Sequence, residues 1–299
     1  METKETKEKK SGLIYILIAL IIVFIIAFVY VYNIYNKEGE KRSVFIETPS
    51  GKADHIQIFA SLVSIDPVKG EMSVRLNFEP KGALADEKGY LKEEVNLFIN
   101  CATGKQEFNF AKSKMINPID VILNLYDGLV TDYPLDKHKS ELVIETTTKV
   151  KKDNASQETD IEGIDNTLNF SGSVAGYKIS AEQDPDSKDF NTILNFQIER
   201  AESVRFFSFF VIVTMWLLII LLMALLFNII VRKRKIEINM FTFSSAMIFA
   251  FPAFRNMMPY APPIGAFPDY IAFFWAEAAA ALTLSGLIIT WILRKPVQH

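Results

Sequence analysis

An apolar run near the start of the chain has the length of a membrane-spanning helix. The run, LIYILIALIIVFIIAFVYVY, occupies residues 13–32 and contains no charged side chain. A helix of about 20 apolar residues crosses the hydrocarbon core of a bilayer. The lysines that precede it also suit a cleaved signal peptide, but the run is longer than a signal core and no small-residue cleavage site follows. We therefore predict a retained signal anchor at 13–32, with residues 1–12 as an N-terminal tail.

The C-terminal third of the chain contains three more apolar runs. Half of the 299 residues are hydrophobic and 24 are Phe, which is more than an ordinary soluble domain contains. Membrane segments account for that excess. The predicted spans are residues 206–231, 240–254 and 270–293.

The positions of the basic residues predict the orientation of these spans. Cytoplasmic loops are enriched in Lys and Arg, and a basic cluster directly follows the second span in the 232–239 loop. The cluster consists of Arg232, Lys233, Arg234 and Lys235. With four spans, both termini, including the 294–299 tail, are expected in the cytoplasm, and residues 33–205 outside. The Pro-rich loop 255–269 would also face outward. This topology indicates the plasma membrane or an equivalent membrane.

The segment 33–205 has the pattern of an antiparallel β-sandwich domain. Apolar residues alternate in HIQIFASLVSID and EMSVRLNF, two runs separated by a Pro- and Gly-containing turn, which predicts a hairpin with one buried face. Similar short runs recur up to NTILNFQIE, giving eight or so strands. The predicted fold is thus a β-rich extracytoplasmic sandwich-like domain plus α-helical transmembrane segments, with one span before the domain and three after it.

One segment interrupts the strand pattern. Residues 149–166 are charged and poor in large apolar side chains, which predicts an exposed loop, either a solvated connection or a binding loop. Asn154 lies in this loop, and Asn169 lies just beyond it. Both start N-x-Ser/Thr triplets, which become glycosylated only in a glycosylating cell.

Several long segments resemble a family of membrane proteins. VSIDPVKGEMSVRLNFEPKGALADEKGYL, MINPIDVILNLYDGLVTDYPLDKHKSELVIE and FRNMMPYAPPIGAFPDYIAFFWAE are together similar to the domain of unknown function 4436 family, from about Ile56 to the fourth span. The resemblance implies one N-terminal span, an outward domain and a C-terminal set of spans. It implies no catalytic residues.

A shorter segment resembles a turn in pentameric ligand-gated channels. YPLDKHKSEL, containing Tyr133, Pro134, Asp136 and His138, is similar to the aromatic-Pro-x-Asp turn of their β-sandwich domain. The chain departs from those channels in lacking paired cysteines, in having three spans after the domain and in having one before it. Taken alone, the turn predicts that Pro134 fixes the backbone and that Asp136 binds nearby backbone amides.

No catalytic motif is present in the sequence. Hydrolase, metalloprotease, phosphate-loop and dinucleotide-binding motifs are absent, and the single cysteine, Cys101, is expected to be a buried strand residue. His55 with Asp54, or His138 with Asp136, would bind a metal only with further carboxylates, so solvated side chains are the preferred interpretation. We expect no cofactor, and a net charge of −3 argues against a nucleic-acid partner.

Glu277 is a carboxylate within the fourth predicted span. A lone ionised carboxylate facing lipid would cost several kcal/mol. We therefore expect Glu277 to be protonated, paired or turned into the helix bundle, with Arg255 as its partner in a clasp between spans three and four. Asp269 is expected to lie near this pair. Proton or ion relay is the alternative role.

These observations favour a non-enzymatic membrane protein whose outward domain binds a protein or an envelope component. Membrane lipid is the expected surrounding of the helices, and a homo-oligomer is possible. An oligomeric transporter or channel-like protein using Glu277 is one alternative. A membrane-bound enzyme acting on lipid or cell-wall material is another.

Overall fold

The computed structural model describes residues 4–41, 43–48, 52–151 and 159–294. Lys4–Lys41 form one continuous helix, α1, which is a compact unit separate from residues 43–299. It contains the predicted anchor at 13–32 and continues past it, since the polar segment that follows consists mostly of residues compatible with a helix. The helix is therefore longer than the predicted span at both ends.

Residues 44–200 form two β-sheets. The first sheet has the strand order β1-β9-β2-β3-β6, and the second has the order β10-β11-β7-β4-β5 with β8 beside β7. The strands are β1 Val44–Glu47, β2 Ile56–Asp66, β3 Glu71–Pro80, β4 Val95–Ile99, β5 Glu107–Phe110, β6 Ile119–Asn124, β7 Lys137–Lys151, β8 Thr159–Gly163, β9 Asn166–Gly172, β10 Tyr177–Gln183 and β11 Asn191–Arg200.

The alternating apolar residues of both sheets form one core. Burial alternates along β2, β3, β4 and β11, as expected when one face of each strand is covered. Phe170 of the first sheet and Phe196 of the second lie with their ring centroids 4.7 Å apart. Cys101 is buried in the same core, as predicted, but it follows β4 and is not itself a strand residue. The β-rich, sandwich-like part of the predicted fold is thus confirmed.

The strand prediction was incomplete in the segment after β7. β8 occupies part of the predicted loop 149–166, and residues 152–158, including Asn154, lie outside the described residues. β9 pairs antiparallel with β1 but parallel with β2. The first sheet is therefore mixed, whereas the sequence predicted an antiparallel one. Asn169, in β9, is partly buried and its side-chain oxygen is enclosed, a setting that does not suit an attached glycan.

Three helices follow the β-domain and pack on each other. They are α2 Glu202–Ile230, α3 Ile238–Asn256 and α4 Phe274–Leu293, the last preceded by a π-helical turn at Asp269–Phe273. Trp216 of α2 donates a hydrogen bond to the Ile271 carbonyl at 3.0 Å. Gly286 of α4 lies against Leu226 of α2, where an added Cβ would come within 2.6 Å of the leucine side chain.

Two helical stretches in the described part of the chain are long and apolar enough to cross a membrane. They are Glu202–Ile230 and Asp269–Leu293. The four predicted spans are therefore not supported as a set. α3 is not among these two stretches, because it is less apolar: its 19 residues include Arg255, two Asn, two Ser and a Thr. Several side chains of the predicted anchor at 13–32 lie outside the described residues.

Candidate functional site

The register of the second sheet brings two charged residues together where the sheet meets the helices. β11 pairs antiparallel with β7, and Glu199 lies opposite Lys137 at the end of the ladder. The residues one step further along, Asp136 before β7 and Arg200 at the end of β11, therefore meet beside the start of α2. Both are buried.

Asp136 binds two cationic or polar side chains at once. The Arg200 Nε lies 3.0 Å from each Asp136 carboxylate oxygen, and Arg200 Nη2 lies 2.9 Å from Oδ2. His138 Nε2 lies 3.1 Å from the same Oδ2. Because an ionised carboxylate only accepts, His138 carries its proton on Nε2. The predicted solvated state of Asp136 and His138 is wrong, as is the predicted binding of Asp136 to nearby amides.

Aromatic rings enclose the Arg200 guanidinium. Its central carbon lies 4.8 Å from the Tyr177 ring centroid and 5.1 Å from that of Tyr133, distances typical of cation–π contacts. Arg200 Nη1 also donates to the Tyr177 hydroxyl at 3.0 Å and to the Tyr260 carbonyl at 3.2 Å. We call Tyr133, Asp136, His138, Tyr177 and Arg200 the junction network.

Tyr133 connects this network to the helices. Its side chain is fully buried among apolar residues of α2, α4 and the α3–α4 connection. The hydroxyl donates to the Pro259 carbonyl at 2.7 Å and lies 2.7 Å from Ser208 Oγ in α2. The peptide bond between Tyr133 and Pro134 is cis. The turn predicted around Pro134 thus carries an aromatic side chain from the sandwich into the helical core.

Burial and hydrogen bonding shift the pKa values of three residues in the junction network. Burial raises the pKa of Asp136, but hydrogen bonds from His138 and Arg200 outweigh burial and hold that pKa below its ordinary value. Burial raises the pKa of Tyr177 to about 12. It also raises the pKa of Tyr133. The network therefore contains an ionised aspartate and two neutral tyrosines at ordinary pH.

A second buried ion pair holds the connection between α3 and α4. Arg255 Nε lies 2.8 Å from Asp269 Oδ1, and Arg255 Nη2 lies 3.0 Å from Oδ2. The same Nη2 donates to the Pro262 carbonyl at 2.8 Å, and Asp269 accepts from the Gly265 and Ala266 amides. This bidentate ion pair joins the end of α3 to the start of the π-helical turn and so fixes the Pro-rich connection between them.

The predicted clasp between Arg255 and Glu277 is wrong. The guanidinium of Arg255 is taken up by Asp269, which was expected only as a neighbour. Glu277 is half-buried, and its Oε1 is enclosed without a hydrogen-bond partner among the described residues. Of the predicted cluster, Arg255 and Asp269 therefore form an ion pair, and Glu277 takes no part in it.

The other predicted residues lie outside both clusters. Asp54 accepts a hydrogen bond from the Ala83 amide at 2.6 Å, and His55 Nδ1 lies 3.0 Å from the Lys52 carbonyl. Arg232, Lys233, Arg234 and Lys235 are exposed between α2 and α3. The part of the chain that the structure describes contains no group of three or more His, Cys, Asp or Glu side chains arranged to hold a metal.

Sequence reasoning missed Arg200, Tyr177 and Tyr260. A signal for Arg200 was present, because it continues the inward-facing positions Thr192, Leu194, Phe196 and Ile198 of β11. A charged residue in an inward position needs a buried partner. The contact of the Tyr260 carbonyl had no such signal, since it depends on how the α3–α4 connection folds.

The fold and the junction define a class of protein: a sandwich-like β-domain joined through a buried ion-pair network to a bundle with two helices long enough to cross a membrane. Comparison with protein families places the chain more closely. Residues 46–198 match the domain of unknown function DUF4436, and residues 200–294 match the domain of unknown function DUF8686. The chain belongs to the DUF4436 family, as the resemblance indicated, although the helical part matches a separate family model. Comparison with curated proteins finds no match.

Proposed function

We propose that this chain is a non-enzymatic integral membrane protein that holds its β-sandwich outside the membrane to bind a protein or an envelope component. The junction network is the observation that supports this function best. It attaches the sandwich to α2 and to the α3–α4 connection through a buried ion pair and an inserted tyrosine. An attachment of this kind keeps a binding domain in a fixed position relative to the membrane.

The proposed topology has four spans, with α1 as a signal anchor and α2, α3 and α4 following the sandwich. Both termini and the basic residues 232–235 lie in the cytoplasm, and the membrane is the plasma membrane. Two helices with sufficient length and apolarity support the membrane location. α3 is the most polar of the three later helices, so it is expected to be shielded from lipid by its neighbours or by further copies of the chain.

The burial of the junction network argues against an enzymatic role for its acid–base pair. His138 and Asp136 are 4% and 3% exposed, and Arg200 covers both carboxylate oxygens. A catalytic acid or base must come within hydrogen-bond reach of its substrate. The closed packing of this pair supports a structural role and disfavours the alternative of an enzyme that acts on lipid or cell-wall material.

Cysteine labelling tests the proposed topology. A membrane-impermeant maleimide should label a Lys105→Cys variant from outside intact cells and should label an Arg232→Cys variant only after lysis. The native Cys101 gives little background, because it is buried and burial raises the pKa of its thiol. Labelling of Arg232→Cys from outside, with Lys105→Cys protected, would overturn the proposal.

Glu277 supports a second proposal, an oligomeric transporter or channel-like protein. A half-buried carboxylate with an unpartnered oxygen within a membrane-length helix is typical of residues that handle ions or protons. The matched test compares wild type with Glu277→Gln in liposomes. Equal thermal stability with loss of proton or cation flux would favour transport. Absence of flux in both proteins would leave only the binding function.

A further inference from the structure

A cavity with a positively charged lining lies at the edge of the second sheet. Its volume is about 380 Å³, and it is formed by the segment before β4 and the segment after β5. The lining residues are Asp86, Lys88, Tyr90, Leu91, Lys92, Lys112 and Ser113. The whole chain has a net charge of −3, so a cavity with three lysines and one aspartate departs from the general charge of the molecule.

The charge of the cavity is available to a ligand. None of its three lysines forms an ion pair or a side-chain hydrogen bond with another described residue. Asp86 offsets one of these three charges, and its Oδ1 accepts hydrogen bonds from the Lys88 and Tyr90 amides, each at 2.9 Å. The lining therefore carries three lysines against one aspartate, a formal excess of two positive charges beside one open space.

Backbone hydrogen bonds hold the two walls of the cavity together. The Ser113 amide donates to the Leu91 carbonyl at 2.8 Å, and the Leu91 amide donates to the Lys114 carbonyl at 3.0 Å. Leu91 is 2% exposed and anchors this wall in the sandwich core. The cavity is thus part of the folded domain, and a ligand would meet walls that are already in place.

The cavity lies far from α2, α3 and α4. β7 starts next to the junction network at Lys137, and Asn96 at the start of β4 pairs with Thr147, ten residues further along. At about 3.3 Å per residue, the cavity is roughly 33 Å from the junction along the sheet. A ligand would therefore approach from the end of the sandwich opposite α2, α3 and α4, beyond the reach of the lipid headgroups around those three helices.

We propose that this cavity binds a polyvalent anion that carries phosphate groups. Lysine ammonium groups act as compact point charges that suit phosphate, whereas planar carboxylate recognition favours arginine forks, and no arginine lines this cavity. The Ser113 hydroxyl and the Tyr90 ring supply a hydrogen bond and an apolar surface beside the charge. This inference rests on the proposed function, because it takes the sandwich to lie outside the membrane. The ligand there is a soluble phosphate compound or a phosphate-bearing envelope polymer.

Calorimetric titration of the detergent-solubilised full chain tests the proposal. Pyrophosphate and a soluble long-chain polyphosphate are the probes for the two sources, and citrate is the carboxylate comparison. We expect saturable binding of at least one phosphate probe, weakened at least tenfold in Lys88→Gln and in Lys112→Gln. Lys178→Gln, an exposed lysine of β10 outside the cavity, should change the affinity less than twofold.

Three outcomes would contradict the proposal. Equal weakening by Lys178→Gln would mean general charge attraction, tighter binding of citrate would exclude the phosphate assignment, and absence of binding by both phosphate probes would exclude the site. Tighter binding of polyphosphate than of pyrophosphate would identify the polymer as the source. The labelling experiment is independent, so phosphate binding with an inward-facing sandwich would retain the site and reject the proposed topology.

Discussion

At the scale of single residues, the Arg200–Asp136 pair dominates the junction. Both side chains are almost fully buried, and each satisfies polar groups that would otherwise lack partners. Desolvating two charges is costly, and their mutual attraction offsets that cost only when the geometry is good and further hydrogen bonds are present. The pair therefore fixes which parts of the chain meet, whether or not it adds net stability.

Replacing Arg200 should strongly destabilise the protein. Arg200→Gln leaves the Asp136 carboxylate buried without its main partner, and removal of one member of a buried pair costs about 3–5 kcal/mol. Denaturant unfolding of the solubilised protein measures this loss. Arg75→Gln is the matched control, because Arg75 pairs with Asp120 on the exposed surface. Similar effects of the two substitutions would contradict the assigned importance of the junction.

The lowered pKa of Asp136 predicts a dependence of stability on pH. The unfolded chain takes up a proton near the ordinary value of 3.8, whereas the folded chain holds the carboxylate charged to lower pH. The stabilisation is therefore present above about pH 4 and is lost as the pH falls through the folded-state pKa. Asp136→Asn removes this titration. The stability gap between wild type and Asp136→Asn should narrow below about pH 4, and a constant gap would contradict the lowered pKa.

At the scale of elements, periodicity predicted the strands but not their contacts. The alternation in HIQIFASLVSID and EMSVRLNF led to β2 and β3 because a half-covered sheet imposes period two. β9 was missed since its run NTLNFSG follows a charged segment and is buried at consecutive positions. The Arg255–Asp269 pair depends on how the connection between α3 and α4 folds, so the sequence indicated Glu277 of the next span as the partner of Arg255 instead.

Gly176 tests the contact between the sandwich and the α3–α4 connection. Its φ is +84°, and an added Cβ would lie 2.4 Å from the Tyr260 ring. Gly104 is the matched control, because its φ is +91° and a Cβ there would meet open space. Both alanine substitutions strain the backbone, but only Gly176→Ala should also displace Tyr260 and lower the melting temperature further. Equal melting temperatures would mean that this contact does not contribute.

At the scale of the whole molecule, the sandwich and the three later helices share interior contacts. Tyr133 from the sandwich belongs to the apolar core of the helices, and Arg200 reaches the carbonyl of Tyr260. Apolar runs predicted the helices, and alternation predicted the sandwich. The connection between them was not predictable, because it consists of residues from four distant segments that only the complete fold brings together.

Amide hydrogen exchange in residues 257–268 tests this connection most directly. Asp136→Asn weakens the hold on Arg200 and, through it, on the Tyr260 carbonyl, so exchange should become faster in 257–268 although the substitution lies over 100 residues earlier. Asp120→Asn, which removes an exposed partner of Arg75, should leave these amides unchanged. Faster exchange confined to residues 133–140, with 257–268 as protected as in the wild type, would contradict the account that the junction network joins the sandwich to the helices.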